Sequence, residues 1–324
     1  MLSPLYGKLP ENPRVIFMGT PEFAVPSFAA IYKAGYNVLS VITQPDRPKG
    51  RGRKVISPPV KEEALKYGIP IIQPENLNDG GVLSIIKEMS PDIFIVVAYG
   101  LILKQYVLSI PKFGALNIHA SILPKYRGAA PINWAIFNNE KETGLSAMLL
   151  DEGMDSGDVL LTEKISIDQA ETAGQLHDRL MALSGAFILK VLDGLKAGAL
   201  TPVPQDEHLV SFAPKITSNT VKIDWTNTAL EVSGLIRGLD PKPGAAALLN
   251  GTELKLFSPV PQKDKIAGAE PGFINEVSSK GVEVATGKGT VLIGELQCHG
   301  KKRMPASEFI KGFSIRQGMI FTQP

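Results

Sequence analysis

The amino-acid sequence predicts an α/β protein: an open, doubly wound sheet, a connector, and a small β-barrel. Three observations carry this. Unbroken apolar runs alternate with helical stretches over the first 200 residues, the pattern of parallel strands covered on both faces. A polar, proline-bearing stretch, Pro202-Val-Pro-Gln-Asp-Glu207, then ends that pattern. Beyond Ile216 the chain turns to short β-like runs separated by Gly, Asn, Ser and Lys turns. The length of 324 residues agrees with two globular units, because single cores stop growing near roughly 250–300 residues.

In chain order, Arg14-Val-Ile-Phe-Met18 reads as a buried strand stopped by Gly19-Thr-Pro21. A helix follows over Glu22–Ala34, closed by Gly35, a residue that tolerates the left-handed conformation at a helix end. Asn37–Thr43, Asp92–Ala98 and Thr143–Leu150 are further strands, the second being the clearest. The helix over Ala173–Lys196 opens on a capping box made by Thr172 and Gln175. Its Leu176, Leu180, Leu183, Phe187 and Val191 repeat at three- and four-residue spacing, which marks a core stripe. Ala246–Leu249, Glu253–Phe257, Gly272–Val277, Gly281–Ala285 and Thr290–Leu296 read as barrel strands. The expected division is a tail at 1–13, the α/β domain at 14–200, a linker at 201–215 and the barrel at 216–324.

Composition narrows the function. At 44% hydrophobic and 20% charged, the chain is ordinary for a globular protein. Its longest strongly apolar run, Ile93–Leu103, has 11 residues, against about 20 for a membrane span, so no membrane partner is expected. The single cysteine, Cys298, rules out an intramolecular disulfide and a cysteine metal cluster. The first residues carry Pro4, Pro10 and Pro13 and no apolar core, so a reducing, cytoplasmic setting is expected. The net charge is +2, yet His208–Pro324 holds 14 Lys and Arg against 10 Asp and Glu. A polyanion such as nucleic acid is the first candidate partner for that excess, and ordinary scatter is the plainer reading. Neither a G-x-G-x-x-G fingerprint nor a Walker lysine follows the first strand, which counts against a nicotinamide oxidoreductase.

Of the four histidines, His177, His208 and His299 read as surface residues. His119 differs, lying in Gly114–Pro124, an uncharged stretch dense in small residues. If the stretch is extended, Asn117 and His119 share one face while Ile118 turns to the core. An amide beside an imidazole can hold a developing oxyanion and pass a proton, although a hydrogen-bonded core histidine fits the same spacing. Downstream, Asp151-Glu-Gly-Met-Asp155-Ser-Gly-Asp158 is a carboxylate loop able to orient His119 or a water, or else a solvated turn. It is too short for a calcium register, and no metal is expected. Arg47, Lys49, Arg51, Arg53 and Lys54 put five positive charges in eight residues with two glycines, either a solvated loop or a flexible grip on phosphates. Lys301, Lys302 and Arg303 form a second, weaker patch.

Taken together and in this order, the motifs resemble the methionyl-tRNA formyltransferase family. The matching stretches are Phe17-Met-Gly-Thr-Pro-Glu-Phe23, Thr43–Arg53, Asn117-Ile-His119 with Ser121-Ile-Leu-Pro124, and Arg127–Pro131. Met154–Asp158, Ile223-Asp-Trp225, Pro243–Ala245 and Gly300–Met304 continue the match. The resemblance implies a Rossmann-like formyltransferase domain joined to an OB-like β-barrel that helps bind tRNA. It implies transfer of a formyl group from 10-formyltetrahydrofolate, as co-substrate, to the α-amino group of initiator methionyl-tRNA for translation initiation. It places the catalytic trio on Asn117, His119 and Asp155, and folate contacts on Ser121, Ile122, Leu123 and Pro124. The pterin end falls near Tyr99, Leu101 and Leu103. The tRNA contacts fall on Arg47, Lys49, Arg51, Arg53 and Lys54, with Arg51 the key cation, and on Lys301, Lys302 and Arg303. A monomer is expected.

Two departures stand out: Ile122 where leucine is commoner, and Lys242 where an aromatic residue is frequent. Relatives that share Asn-x-His and the later aspartate act on glycinamide ribonucleotide or amino sugars, or hydrolyse formyltetrahydrofolate. The second domain counts against the first of these, and the basic loop against the others. A catalytically silent RNA-binding protein is a further alternative, against which the intact trio counts.

Overall fold

The computed structural model describes residues 8–49, 54–262 and 270–324. The chain forms two compact units. Met1–Gly128, Gly144–Ile165 and His177–Phe212 make the first; Ala129–Thr143, Ser166–Leu176 and Ala213–Pro324 make the second.

Up to Gly128 the elements are β1 (Arg14–Gly19), α1 (Val25–Lys33), β2 (Asn37–Ile42), β3 (Arg47–Lys49), β4 (Lys54–Ile56) and α2 (Pro59–Lys66). Then come β5 (Ile71–Ile72), α3 (Gly80–Glu88), β6 (Ile93–Val97), α4 (Gln105–Leu108) and β7 (Ala115–His119). Further on come α5 (Pro131–Phe137), β8 (Glu142–Leu149), β9 (Val159–Ser166) and α6 (Ala173–Ala197).

One sheet runs β5-β2-β1-β6-β7-β8-β9, parallel from β5 to β7 and antiparallel between β7 and β8. All five residues of β6 are buried, which is why it reads as an unbroken apolar run rather than an alternating one. Burying a side chain of this type contributes about 1.5–3 kcal/mol, so such a strand anchors its neighbours. The chain leaves β1 toward β2 and returns on the other side of β1 as β6. That reversal opens a crevice at the carboxyl ends of the two strands, where ligands bind in open α/β sheets. The Thr20 hydroxyl ties the crevice by donating to the Tyr99 carbonyl at 3.1 Å.

Local signals explain the helices. Gly35 closes α1 in the left-handed region at φ +81°. Asp79 caps α3 by accepting from the Gly81 and Val82 amides. The capping box ahead of α6 is present, with the Thr172 amide donating to Gln175 Oε1 at 2.9 Å and the Gln175 amide to Thr172 Oγ1 at 3.3 Å. Ahead of β1, Leu9 is buried and its amide donates to the Leu195 carbonyl at 3.3 Å. Among the described residues, no helix is long and apolar enough to cross a membrane.

The second unit adds α7 (Ala229–Gly238), β10 (Ala245–Leu249), β11 (Thr252–Gln262), β12 (Ile274–Ser278), β13 (Gly281–Ala285), β14 (Thr290–Cys298), β15 (Met304–Pro305), α8 (Ala306–Gly312) and β16 (Phe321–Thr322). Its sheet order is β12-β13-β14-β11-β10-β16, with β15 beside β14. The Ile274 amide donates to the Met319 carbonyl and the Phe321 amide to the Gly272 carbonyl, both at 2.8 Å. These bonds bring the last strand beside β12, so the curled antiparallel sheet covers its own edges. Val232, Ile236 and Leu239 of the α7 region join Leu254, Leu256, Val291 and Ile293 in one core. That helix is absent from the strand-only expectation for 216–324. Its signal is the Thr228–Glu231 capping box before apolar residues at helical spacing.

Candidate active site

The site starts from β7. Period-two alternation puts Asn117 and His119 on one face of the strand, 9% and 6% exposed, with Ile118 packed on the other at 3%. The side-chain amide of Asn117 makes no hydrogen bond among the described residues, so its donors remain available to a ligand. The His119 Nε2 lies 2.9 Å from the Tyr126 carbonyl oxygen. A carbonyl only accepts, so Nε2 carries the hydrogen and Nδ1 is the nitrogen left for chemistry. Nδ1 faces Asp155 Oδ2 at 3.6 Å, a separation longer than a hydrogen bond.

Asp155 sits in the loop between β8 and β9 at φ +52°, a region a non-glycine residue occupies only when its surroundings hold it. The Gly128 amide donates to its Oδ2 at 2.8 Å. The Gln205 Nε2 donates to the Asp155 carbonyl at 2.9 Å and to the Gly157 carbonyl at 2.7 Å. Gly157 is required here, since a Cβ on it would lie 1.9 Å from the Leu149 carbonyl oxygen. Of the aspartates in the loop, Asp155 alone reaches His119. Asp151 is exposed and accepts from the Gly153 amide and the Ser156 hydroxyl within its own turn, and Asp158 is half-buried.

The stretch after β7 is closed on itself. Ser121 Oγ donates to the Lys125 carbonyl at 2.6 Å, and Ser146 Oγ donates to the Ser121 carbonyl at 2.7 Å while accepting from the Leu123 amide at 3.1 Å. The Ser121 hydroxyl is therefore structural, and Ile122 and Pro124, both half-buried, are the side chains of this segment open to contact. Tyr99 and Leu103 belong to the core beneath the crevice, while Leu101 is 46% exposed. Burial pushes the Tyr99 phenol up to about 12.

The cationic residues fall into different settings. Arg47 is exposed on the small hairpin of β3 and β4, whose backbone also carries Lys49 and Lys54. Arg51 and Arg53 lie outside the described residues. At the base of the hairpin, Asp46 accepts from Gln73 at 2.8 Å, Lys61 at 2.7 Å and Ser57 at 3.3 Å. These bonds, that of Gln73 foremost, hold its carboxyl below the usual range. Lys301 and Lys302 are exposed. Arg303 is half-buried: its guanidinium pairs with Asp240 at 2.7 Å and with Glu295, and lies 4.1 Å over the Phe257 ring.

His208 and His299 are exposed, and His177 is half-buried against Phe23. No group of His, Cys, Asp or Glu that could hold a metal is found among the described residues. Arg127 and Gln205 are the residues that sequence reasoning missed. They act through contacts 50 and 78 residues apart in the chain, which no local pattern announces.

Comparison with known proteins gives the family. The formyl transferase family model matches residues 13–192, and the model of the formyl transferase C-terminal domain matches 215–314. The methionyl-tRNA formyltransferase of Pelotomaculum thermopropionicum is 42% identical over 307 residues, covering 95% of this chain and 98% of its own. That of Geobacter sulfurreducens is 45% identical over 307 residues, covering 94% and 95%. Solved structures share the fold at lower identity. An N-formyltransferase from Helicobacter canadensis in complex with folinic acid and dTDP-3-aminofucose gives a TM-score of 0.67 at 20% identity, covering 90% of this chain and 100% of its own. HypX from Aquifex aeolicus in complex with tetrahydrofolic acid gives 0.61 at 18%, covering 95% and 51%. With both family models matched in order and relatives of this identity along nearly the whole length, the chain belongs to the methionyl-tRNA formyltransferase family.

Proposed function

We propose that the chain transfers the formyl group of 10-formyltetrahydrofolate to the α-amino group of initiator methionyl-tRNA, with Asn117, His119 and Asp155 as its catalytic residues. The observation that carries this reading is the approach of Asp155 to His119 Nδ1 beside an uncommitted Asn117 amide, at the carboxyl end of β7. In this reading residues 14–200 supply the chemistry, 201–215 connect, and 216–324 assist in binding tRNA. Ile122, Pro124 and Leu101 are the side chains open to contact the folate. Ser121, Leu123, Tyr99 and Leu103 shape that wall from within.

The co-substrate supplies an electrophilic formyl carbon on a nitrogen that can leave. The methionyl amine must be neutral to attack, and α-amino groups titrate near about 8, so it needs little activation. Attack places negative charge on the formyl oxygen, toward which the Asn117 amide and the Nδ1–H of a protonated His119 imidazolium donate. Asp155 accepts the proton that the amine loses. His119 returns a proton to the folate nitrogen as the old carbon–nitrogen bond breaks, and Asp155 restores it. The Tyr126 carbonyl holds a hydrogen on Nε2 throughout, so that Nδ1 is the nitrogen that gives up and regains the proton.

Formylation of charged initiator methionyl-tRNA, with elongator methionyl-tRNA alongside, tests the assignment. Formyl-methionyl product on the initiator and little on the elongator is the expected result. Steady release of tetrahydrofolate without formylated tRNA overturns it in favour of a hydrolase or an amino-sugar enzyme.

A further inference from the structure

We propose that Gln205 is a positioning residue for formyl transfer, aiming the Asp155 carboxylate at His119 from a connector that contributes no catalytic group. The proposal rests on the reading of Asp155 as the carboxylate that takes the proton from the amine.

The side chain of Gln205 is fully committed. Its two amide hydrogens go to the carbonyls of Asp155 and Gly157 at 2.9 and 2.7 Å, and its Oε1 accepts from Arg127 Nε at 3.0 Å. Two donors and one acceptor in this arrangement are what a glutamine amide provides, and a carboxylate in its place would set oxygen against two carbonyl oxygens. The bonds act where the backbone needs restraint, since Asp155 occupies the left-handed region at φ +52°.

Gln205 also closes a circuit. Three consecutive residues meet the catalytic pair: the Tyr126 carbonyl faces His119 Nε2, the Arg127 side chain bonds Gln205, and the Gly128 amide bonds Asp155 Oδ2. Their own backbone is pinned, the Tyr126 and Arg127 amides donating to Ser211 Oγ at 3.0 Å and to the Ser211 carbonyl at 2.9 Å. Arg127 is 5% exposed, and its Nη2 bonds Glu207 at 2.8 Å. Histidine and aspartate thus take their relative orientation from one short segment. Gln205 is the side chain that locks the aspartate loop to it. Outer-shell hydrogen bonds of this kind commonly change activity by about 10–100-fold when removed at metal sites, and the same logic of orientation applies to a proton-handling pair.

The test measures kcat and KM for both substrates in Gln205→Ala and in Gln205→Glu, which retains the acceptor for Arg127. Each is measured alone and combined with Asp155→Asn, with melting followed in parallel. The expected result is a kcat lower by about 10–100-fold, both KM values within about twofold, and no further loss when either variant is added to Asp155→Asn. His208→Ala, exposed on the same connector, is expected to keep full turnover. If kcat stays within twofold in whichever Gln205 variants fold, or if the losses multiply with that of Asp155→Asn, Gln205 does not act through Asp155. Full turnover in Asp155→Asn itself overturns both the proposal and the reading beneath it, an outcome separate from failure at Gln205 alone.

Discussion

The carboxyl end of β7 and the basic segments are built on opposite plans. At the first, His119 is buried, Asp155 half-buried, and both are aimed by backbone groups, Tyr126 and Gly128, which no side-chain substitution at those positions removes. The exposed cations Arg47, Lys301 and Lys302 stand instead on a hairpin and a turn. The difference suits the two tasks proposed for them. Charge that develops for an instant in a transition state is stabilised by dipoles already in place, whereas a phosphate backbone is attracted by charge density and needs little fixed geometry. Arg303 breaks the pattern. It lies in the basic patch, yet its guanidinium is already engaged by Asp240, Glu295 and Phe257.

The largest expected effect probes the buried plan. In the proposed mechanism Asn117→Ala removes an oxyanion donor, and Asp155→Asn removes the group that takes the proton. Each is expected to lower kcat by about 10²–10³-fold with melting unchanged. Steady-state formylation and a thermal melt check this, and near-normal turnover in either variant would show that the fixed geometry serves packing rather than chemistry.

The next effect sharpens the contrast through Arg303. Arg303→Ala leaves Asp240, whose side chain is 6% exposed, without its guanidinium. Losing hydrogen bonds to a charged group of this kind costs about 2 kcal/mol. Denaturant unfolding is expected to show that loss, while Lys301→Ala and Lys302→Ala stay within about 0.5 kcal/mol, as exposed substitutions do. Equal effects from all three would dissolve the distinction.

The two plans also differ in how far the sequence disclosed them. Strands such as Ile93–Val97 were legible because burial on both faces writes a continuous apolar run, and α6 because its cap and stripe agree. Asn117 and His119 were legible as a pair because period two is a property of any extended chain. The carboxylate loop was legible as a loop, yet its selection of Asp155 over Asp151 was not, because the Gly128 amide and a left-handed backbone make that choice. Gln205 was unreadable for the same reason, standing in a stretch that composition marks only as a polar connector. Lys301, Lys302 and Arg303 look equivalent in the sequence, and only the fold shows that the third already has its counter-charges.

The smallest expected effect lies at the basic loop, where Arg51→Ala tests whether its charge meets phosphate. The hairpin that carries the loop is held at its base by Asp46, Lys61 and Gln73, so the substitution removes charge without loosening the anchor. A cation that contacts one phosphate releases about 0.9 of a counterion on duplex nucleic acid, so losing it should flatten the plot of log KM for tRNA against log salt by about that much. The sign is set by mass action: fewer ions released means a weaker penalty from added salt. Turnover at saturating tRNA should be preserved, because Arg51 is not among the proposed catalytic residues. Arg303→Ala is the control within the same comparison. Its charge is already neutralised by Asp240 and Glu295, so it should leave the slope where it was while lowering stability. A slope unchanged in Arg51→Ala would return the loop to an ordinary solvated turn and shift the contact with tRNA to Lys301 and Lys302.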